Sequence, residues 1–224
     1  VYGIAKICQE YSVPFVLDAS QSAGALDVDM QKLGAAFVAM PGHKGLLGPQ
    51  GTGVLLCNSS TMPIIAGGTG SASRSQNMPH FLPDRLEAGT HNVPGIAGLL
   101  AGVRYLRQRG IVGIEARERG LIRVLAQKLR TMPGLEVYLA QNESAQAGVL
   151  SIRHERIGSE ELGAALGAVG VCVRAGLHCA PYAHESAGTI DTGTVRLSVS
   201  PFNTPREISR IPELMSRALA LASA

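Results

Sequence analysis

Apolar and polar positions recur with two clear periods along the chain. Near the start Ile4, Ile7 and Cys8 recur at helical spacing, and Ser12-Val13-Pro14 breaks the run. "PFVLD" follows, a short apolar stretch ending at Asp18 that predicts a parallel strand buried on both faces. Ala19 to Gly24 is a loop at that strand's carboxyl end, where open α/β sheets bind ligands. Val28 to Ala35 predicts a short helix. "AAFVAM" and "TGVLLC" predict two strands flanking a Gly-rich turn, and Ala66 to Asn92 has no period. Aperiodic stretches that long in a compact protein are functional or disordered.

From Pro94 the text turns helical, with Pro in a first turn and a stop at Gly110. "VGIEARERGLIRVLAQKLRTM" predicts a second amphipathic helix. Strands are expected at Leu135 to Leu139 and Gly148 to Arg153, then a helix with Ser159 as its cap. "GVCVRAG" reads as a strand running into a loop, and "GTVRLSVS" as an alternating strand. "NTPREISRIPELMSRALALA" closes the chain as a helix with a Thr cap and a Pro in its first turn. The fold class is therefore α/β with a second, α+β half, and the boundary falls near Leu106 to Ile111. Residues 1–108 form one expected domain and 109–224 the other.

Composition narrows the setting. The 224 residues are 46% hydrophobic and 17% charged, with a formal net charge of +3, as in an ordinary globular protein. That charge is too small and too scattered for a nucleic-acid partner. No apolar run is long enough to span a membrane. Cys8, Cys57, Cys172 and Cys179 form no CxxC pair, so neither a zinc ribbon nor a disulfide framework is expected. A reducing, cytoplasmic setting follows, with Cys8, Cys57 and Cys172 read as core. The chain opens as if inside a helix, without Met or leader, and reads as a piece beginning within a domain.

One charge stands out. In "FVAMPGHKGLLGPQGTGVLLC" Lys44 is the only lysine in a stretch otherwise almost free of charge. In a dry, glycine-lined pocket, burial would lower the amine's pKa and suit it to condense with an aldehyde. Asp18, 26 residues upstream, could hold a pyridinium nitrogen protonated. Gln21 could reach a ring oxygen, and His43 adds a polar contact. A lysine in a glycine loop is more often a solvated surface residue, and an Asp at a strand end more often caps a turn. "GPQGTG" is not a phosphate-binding P-loop, since no Gly-Lys-Ser/Thr follows it at the required spacing.

In this order the parts are far more specific. "LDASQSAGALDVDMQKLGAAFVAMPGHKGLLGPQGTG" resembles the signature of class V aminotransferases, and within them the cysteine desulfurase and selenocysteine lyase group. The resemblance implies the fold type I architecture of pyridoxal-phosphate enzymes: part of a large, mostly parallel-sheet domain and a smaller α+β domain. It makes Lys44 the lysine that binds pyridoxal 5'-phosphate. Asp18 would pair with the ring nitrogen, Gln21 contact the ring hydroxyl and His43 the phosphate. "LPDRLEAGTHN" resembles the family segment that crosses to a partner subunit, which implies a homodimer in which Thr90 reaches the other monomer's phosphate. In "VRAGLHCAPYAH" the family's Arg-x-Gly-x-His-Cys motif makes Arg174 the clamp on the substrate carboxylate and Cys179 the sulfur acceptor. The implied substrate is L-cysteine or a similar amino acid, with a sulfur-acceptor protein as a further partner.

The pattern departs from the family at Pro41, where many members carry a Ser that contacts the phosphate. The resemblance covers only the carboxyl-terminal part of the family's length, so weak cofactor binding is expected of these residues alone. Two alternatives are carried forward: another class V transaminase or lyase that needs no thiol, and a non-catalytic dimerising piece. A metal site on His178, Cys179 and His184 lacks a fourth ligand at suitable spacing. His80 and His91 read as loop residues.

Overall fold

A computed structural model describes residues 1–223 of the chain. They fall into two units, Val1–Ile111 and Val112 onward. In the first, helix α1 (Tyr2–Glu10) precedes β1 (Val16–Asp18), α2 (Met30–Leu33), β2 (Phe37–Pro41), β3 (Gly53–Cys57) and α3 (Val93–Arg109). The three strands lie in the order β1-β2-β3. β1 runs parallel to β2, with Asp18 beside Ala39, and β2 runs antiparallel to β3.

The burial of β1 differs from the sequence expectation. Only Leu17 is buried; Val16 is 60% exposed and Asp18 is exposed. β1 is an edge strand covered on one face, and an apolar run cannot distinguish one covered face from two. The expected apolar face of α1 likewise points outward at Ile4 and Ile7, and it is Ala5 that is buried. α2 is fixed at both ends: the Asp29 carboxylate accepts from Gln31 N and Lys32 N, and Gly34 closes it with a left-handed φ of 59°.

The turn from β2 to β3 is pinned by backbone bonds, with Gly42 N donating to Thr52 O at 2.8 Å and Gly48 N to Gly42 O at 2.7 Å. α3 braces it from behind. A Cβ on Gly102 would come within 2.3 Å of Leu46 O, so only glycine lets this helix lie against the turn. The Asn92 side chain caps α3, accepting from Gly95 N at 3.1 Å. Between β3 and α3 the only regular structure is a single 3-10 turn, Gly70–Ala72.

The second unit comprises α4 (Ile111–Leu129), β4 (Leu135–Tyr138), β5 (Val149–His154), α5 (Ser159–Ala168), β6 (Arg174–Gly176), α6 (Pro181–Ser186), β7 (Thr194–Ser198) and α7 (Pro205–Ala222). Its sheet is antiparallel throughout, in the order β4-β5-β7-β6. Leu150 and Ile152 of β5 and Val195 and Leu197 of β7 meet Ile122, Leu125 and Leu129 of α4, Leu162 and Leu166 of α5, and Ile208 and Met215 of α7 in one core. Alternation along the strands sends Ser151, Arg153 and Arg196 to the other face.

Three local details differ from expectation. Gly158, not Ser159, is the N-cap of α5; the Ser159 hydroxyl donates to Thr192 O at 2.7 Å and ties the helix to the loop before β7. Of "GVCVRAG" only Arg174–Gly176 pair as strand, because their partners on β7 begin at Thr194 and end at Arg196. Cys172 therefore lies outside the sheet and is exposed, while Cys8 and Cys57 are partly exposed rather than core. α7 carries the expected Thr204 cap as a full capping box with Glu207, and also accommodates Pro212 in its interior. Among the described residues no helix is long and apolar enough to cross a membrane.

Candidate active site

Parallel pairing positions the first unit's candidate residues. Because β1 and β2 run the same way, the loop after Asp18 and the Gly42-His43-Lys44 turn leave from one edge of the sheet. They lie backbone on backbone: a Cβ on Gly24 would sit 2.0 Å from Gly45 O, and one on Gly45 2.2 Å from Ala23 O. Neither position accepts any other residue without parting the loops. Gln21, His43 and Lys44 are exposed at this edge, as is Asp18. Lys44 is thus not in a dry pocket. The glycines press against neighbouring backbone rather than enclosing the lysine, and the side chain projects from the turn.

Asp18 is held as an anion. Its carboxyl lies below the usual carboxylate range, chiefly through hydrogen bonds from the Ser20 side chain and backbone, with the Lys44 charge adding to them. Ser20 N donates to Asp18 Oδ1 at 2.8 Å. A fixed carboxylate within the field of an amine, at a glycine-closed strand edge, fits the ring nitrogen and aldehyde of pyridoxal phosphate. Pro41 ends β2 and offers no N–H. Thr90 is exposed near the end of the irregular stretch, after Gly89, whose N–H donates to Gly68 O at 2.9 Å.

In the second unit Arg174 opens β6 and lies directly opposite Arg196 of β7, which in turn faces Ser151 of β5. This row lies on the face away from the core, since its neighbours Val195 and Leu197 are buried in it. Two guanidinium groups side by side repel. The Arg196 Nε is buried without a hydrogen-bond partner among the described residues. A carboxylate between the two would relieve both conditions. The sequence reading overlooked Arg196. The signal was the alternation of "TVRLS", which puts an arginine on the face that the core does not use.

Cys179 is exposed on the loop after β6. It and His178 take consecutive left-handed backbone conformations, with φ of 59° and 54°. The His178 ring lies 3.1 Å from Thr194 O. Burial lowers its pKa, followed by the charge of Arg196, with smaller contributions from His184 and Arg174. The thiol loop therefore lies within the field of the arginine row. Among the described residues no three His, Cys, Asp or Glu side chains gather as metal ligands. His80 is exposed in the long irregular stretch, and His91 Nδ1 lies 2.8 Å from Glu87 Oε2.

Comparison with known proteins shows the family to which the chain belongs. Residues 1–211 match the family described as Aminotransferase class-V, and the chain belongs to that family. It is 33% identical over 220 residues to a probable cysteine desulfurase of Methanothermobacter thermautotrophicus, covering 95% of this chain and 54% of the relative. It is 35% identical to another from Pyrococcus abyssi, covering 92% and 52%. The apo structure of a cysteine desulfurase from Thermococcus onnurineus superposes with a TM-score of 0.85 at 34% identity, over 96% of this chain and 55% of that one. CsdA, a cysteine desulfurase of Escherichia coli in an S-sulfonic acid form, superposes with a TM-score of 0.84 at 28% identity, over 96% and 54%. The chain spans about half the length of the curated relatives it matches.

Proposed function

We propose that the protein takes part in pyridoxal-phosphate-dependent desulfuration of L-cysteine, giving L-alanine and a persulfide on Cys179. The observation that carries this reading is the exposed Cys179 on a loop beside Arg174 and Arg196, which a thiol-free transaminase does not need. Bound at the first unit's strand edge, pyridoxal phosphate supplies the electron sink that lets an amino acid lose its α-proton. Lys44 would hold the cofactor through its aldehyde, and its Nζ would carry that proton. Asp18, an anion through its Ser20 bonds, would hold the ring nitrogen protonated. Gln21 would contact the ring hydroxyl, His43 the phosphate, and Thr90 the phosphate of a partner subunit in a homodimer.

Arg174 and Arg196 grip the substrate carboxylate from adjacent strands. The Cys179 thiolate attacks the substrate sulfur; the carbon–sulfur bond breaks, an S–S bond forms, and the β-carbon gains the electron pair and a proton. A sulfur-acceptor protein then takes the outer sulfur. Four free thiols suit a reducing, cytoplasmic setting. Selenocysteine as substrate uses the same groups.

Borohydride reduction after adding pyridoxal phosphate, with peptide mapping, is expected to label Lys44. Cys179→Ala is expected to keep that label and lose alanine formation from cysteine by about a hundredfold or more. Wild-type alanine formation in Cys179→Ala would overturn the persulfide assignment.

A further inference from the structure

Two consecutive non-glycine residues with positive φ are costly for L-amino acids, and they persist only where surrounding contacts over-determine them. At His178 and Cys179 those contacts form a closed circuit. The His178 Nε2–H donates to Thr194 O at 3.1 Å, with Thr194 Oγ1 at 3.3 Å. The ring of His178 lies 5.8 Å, centroid to centroid, from that of His184, tilted by 47°. His184 is 7% exposed and sits on α6, which starts two residues after Cys179. Its Nδ1 lies 2.8 Å from Thr189 Oγ1, and Thr189 is 2% exposed. The backbone completes the circuit: Thr189 N donates to His184 O and Gly193 N to Thr189 O, each at 2.8 Å, which leads back to Thr194.

We propose that His184 and Thr189 are positioning residues for Cys179: their buried hydrogen bond sets the His184 ring against His178 and so locks the left-handed turn that presents the thiol. Packing alone does not require a polar pair here, since burying an imidazole and a hydroxyl costs free energy that an apolar pair would avoid. The pair's side-chain hydrogen bonds join His184 and Thr189 to each other and do not reach the arginine row. The pair's side chains reach the thiol turn through the His178 ring. This inference rests on the reading of Cys179 as sulfur acceptor, but its test needs neither cofactor nor turnover.

The test is site-resolved alkylation by iodoacetamide, followed by mass spectrometry, with exposed Cys172 as the internal reference. Thr189→Val is expected to slow alkylation of Cys179 about fivefold or more, as the relaxed turn lets the thiol leave its presented position, while Cys172 stays within about twofold. Thr189→Ser, which keeps the hydroxyl, is expected to restore the wild-type rate. His184→Gln, which keeps a hydrogen-bonding group but removes the ring, is expected to behave like Thr189→Val. An unchanged Cys179 rate in Thr189→Val and His184→Gln overturns the proposal. So does an equal rise at both cysteines, which would mean that the pair supports the unit's fold and not the thiol. If the selective slowing occurs but Cys179→Ala still makes alanine, the positioning stands and the persulfide assignment falls.

Discussion

Single residues in this protein are set by what their neighbours leave unsatisfied. Arg196 has a buried Nε without a hydrogen-bond partner among the described residues, and a second guanidinium opposite. Glu118 of α4 is the acidic counterpart. Its Oε2 lies against the Gly148 backbone, where a Cβ would come within 2.7 Å, and it makes no hydrogen bond or ion pair among the described residues. Burial raises its pKa from the usual 4.5 to about 7. A raised carboxyl favours the folded state while it is protonated. Stability is therefore full below about pH 4.5, falls as the pH rises towards 7, and is level above that. Partial exposure keeps the loss well below what the full shift implies. Glu118→Gln is expected to raise the urea midpoint at pH 8 and leave it nearly unchanged at pH 4; a gain equal at both would remove titration as the cause.

At the scale of elements, the helix ends were the most legible feature. Gly110, Thr204 and the first-turn Pro94 are local signals that need no tertiary contact, and the structure uses each of them. The Thr204 box is complete, with Glu207 N donating to Thr204 Oγ1 at 3.2 Å and Thr204 N to Glu207 Oε2 at 2.6 Å. Thr204→Ala is expected to destabilise the second unit by about 1 kcal/mol, and Thr204→Ser by much less. Denaturant melts followed by circular dichroism measure the difference. Strands were less legible. "PFVLD" and "GVCVRAG" have apolar text, but how much of each pairs, and on how many faces it is covered, depends on strands distant in sequence. α6 was missed because six residues carry too little periodicity to register.

At the scale of the whole molecule, the two units differ in how much core each closes. The second buries Leu, Ile, Val and Met from three helices and two strands around one centre. The first buries several alanines and leaves Ile4, Ile7, Val16, Leu55, Leu56, Ile64 and Ile65 exposed. Residues 112–224 expressed alone are therefore expected to melt cooperatively. Residues 1–111 alone are expected to bind a hydrophobic dye and melt broadly. Calorimetry of the two pieces decides this, and a sharp transition in residues 1–111 would contradict the comparison of cores.

The sequence by itself determined most of the helices, the Thr204 cap, and the order of motifs that matches the class V family. These are local or serial properties, and periodicity or spacing carries them. Only the tertiary structure decided that the field of Lys44 reaches Asp18 across 26 residues, through parallel pairing and two glycine backbones in contact. It alone decided that Lys44 and Cys172 are exposed, that Arg196 faces Arg174, and that His184 and Thr189 stand behind the thiol loop. Which face of a strand is covered, and which residue stands opposite another, is set by register between distant segments. No local pattern in a single chain encodes that register.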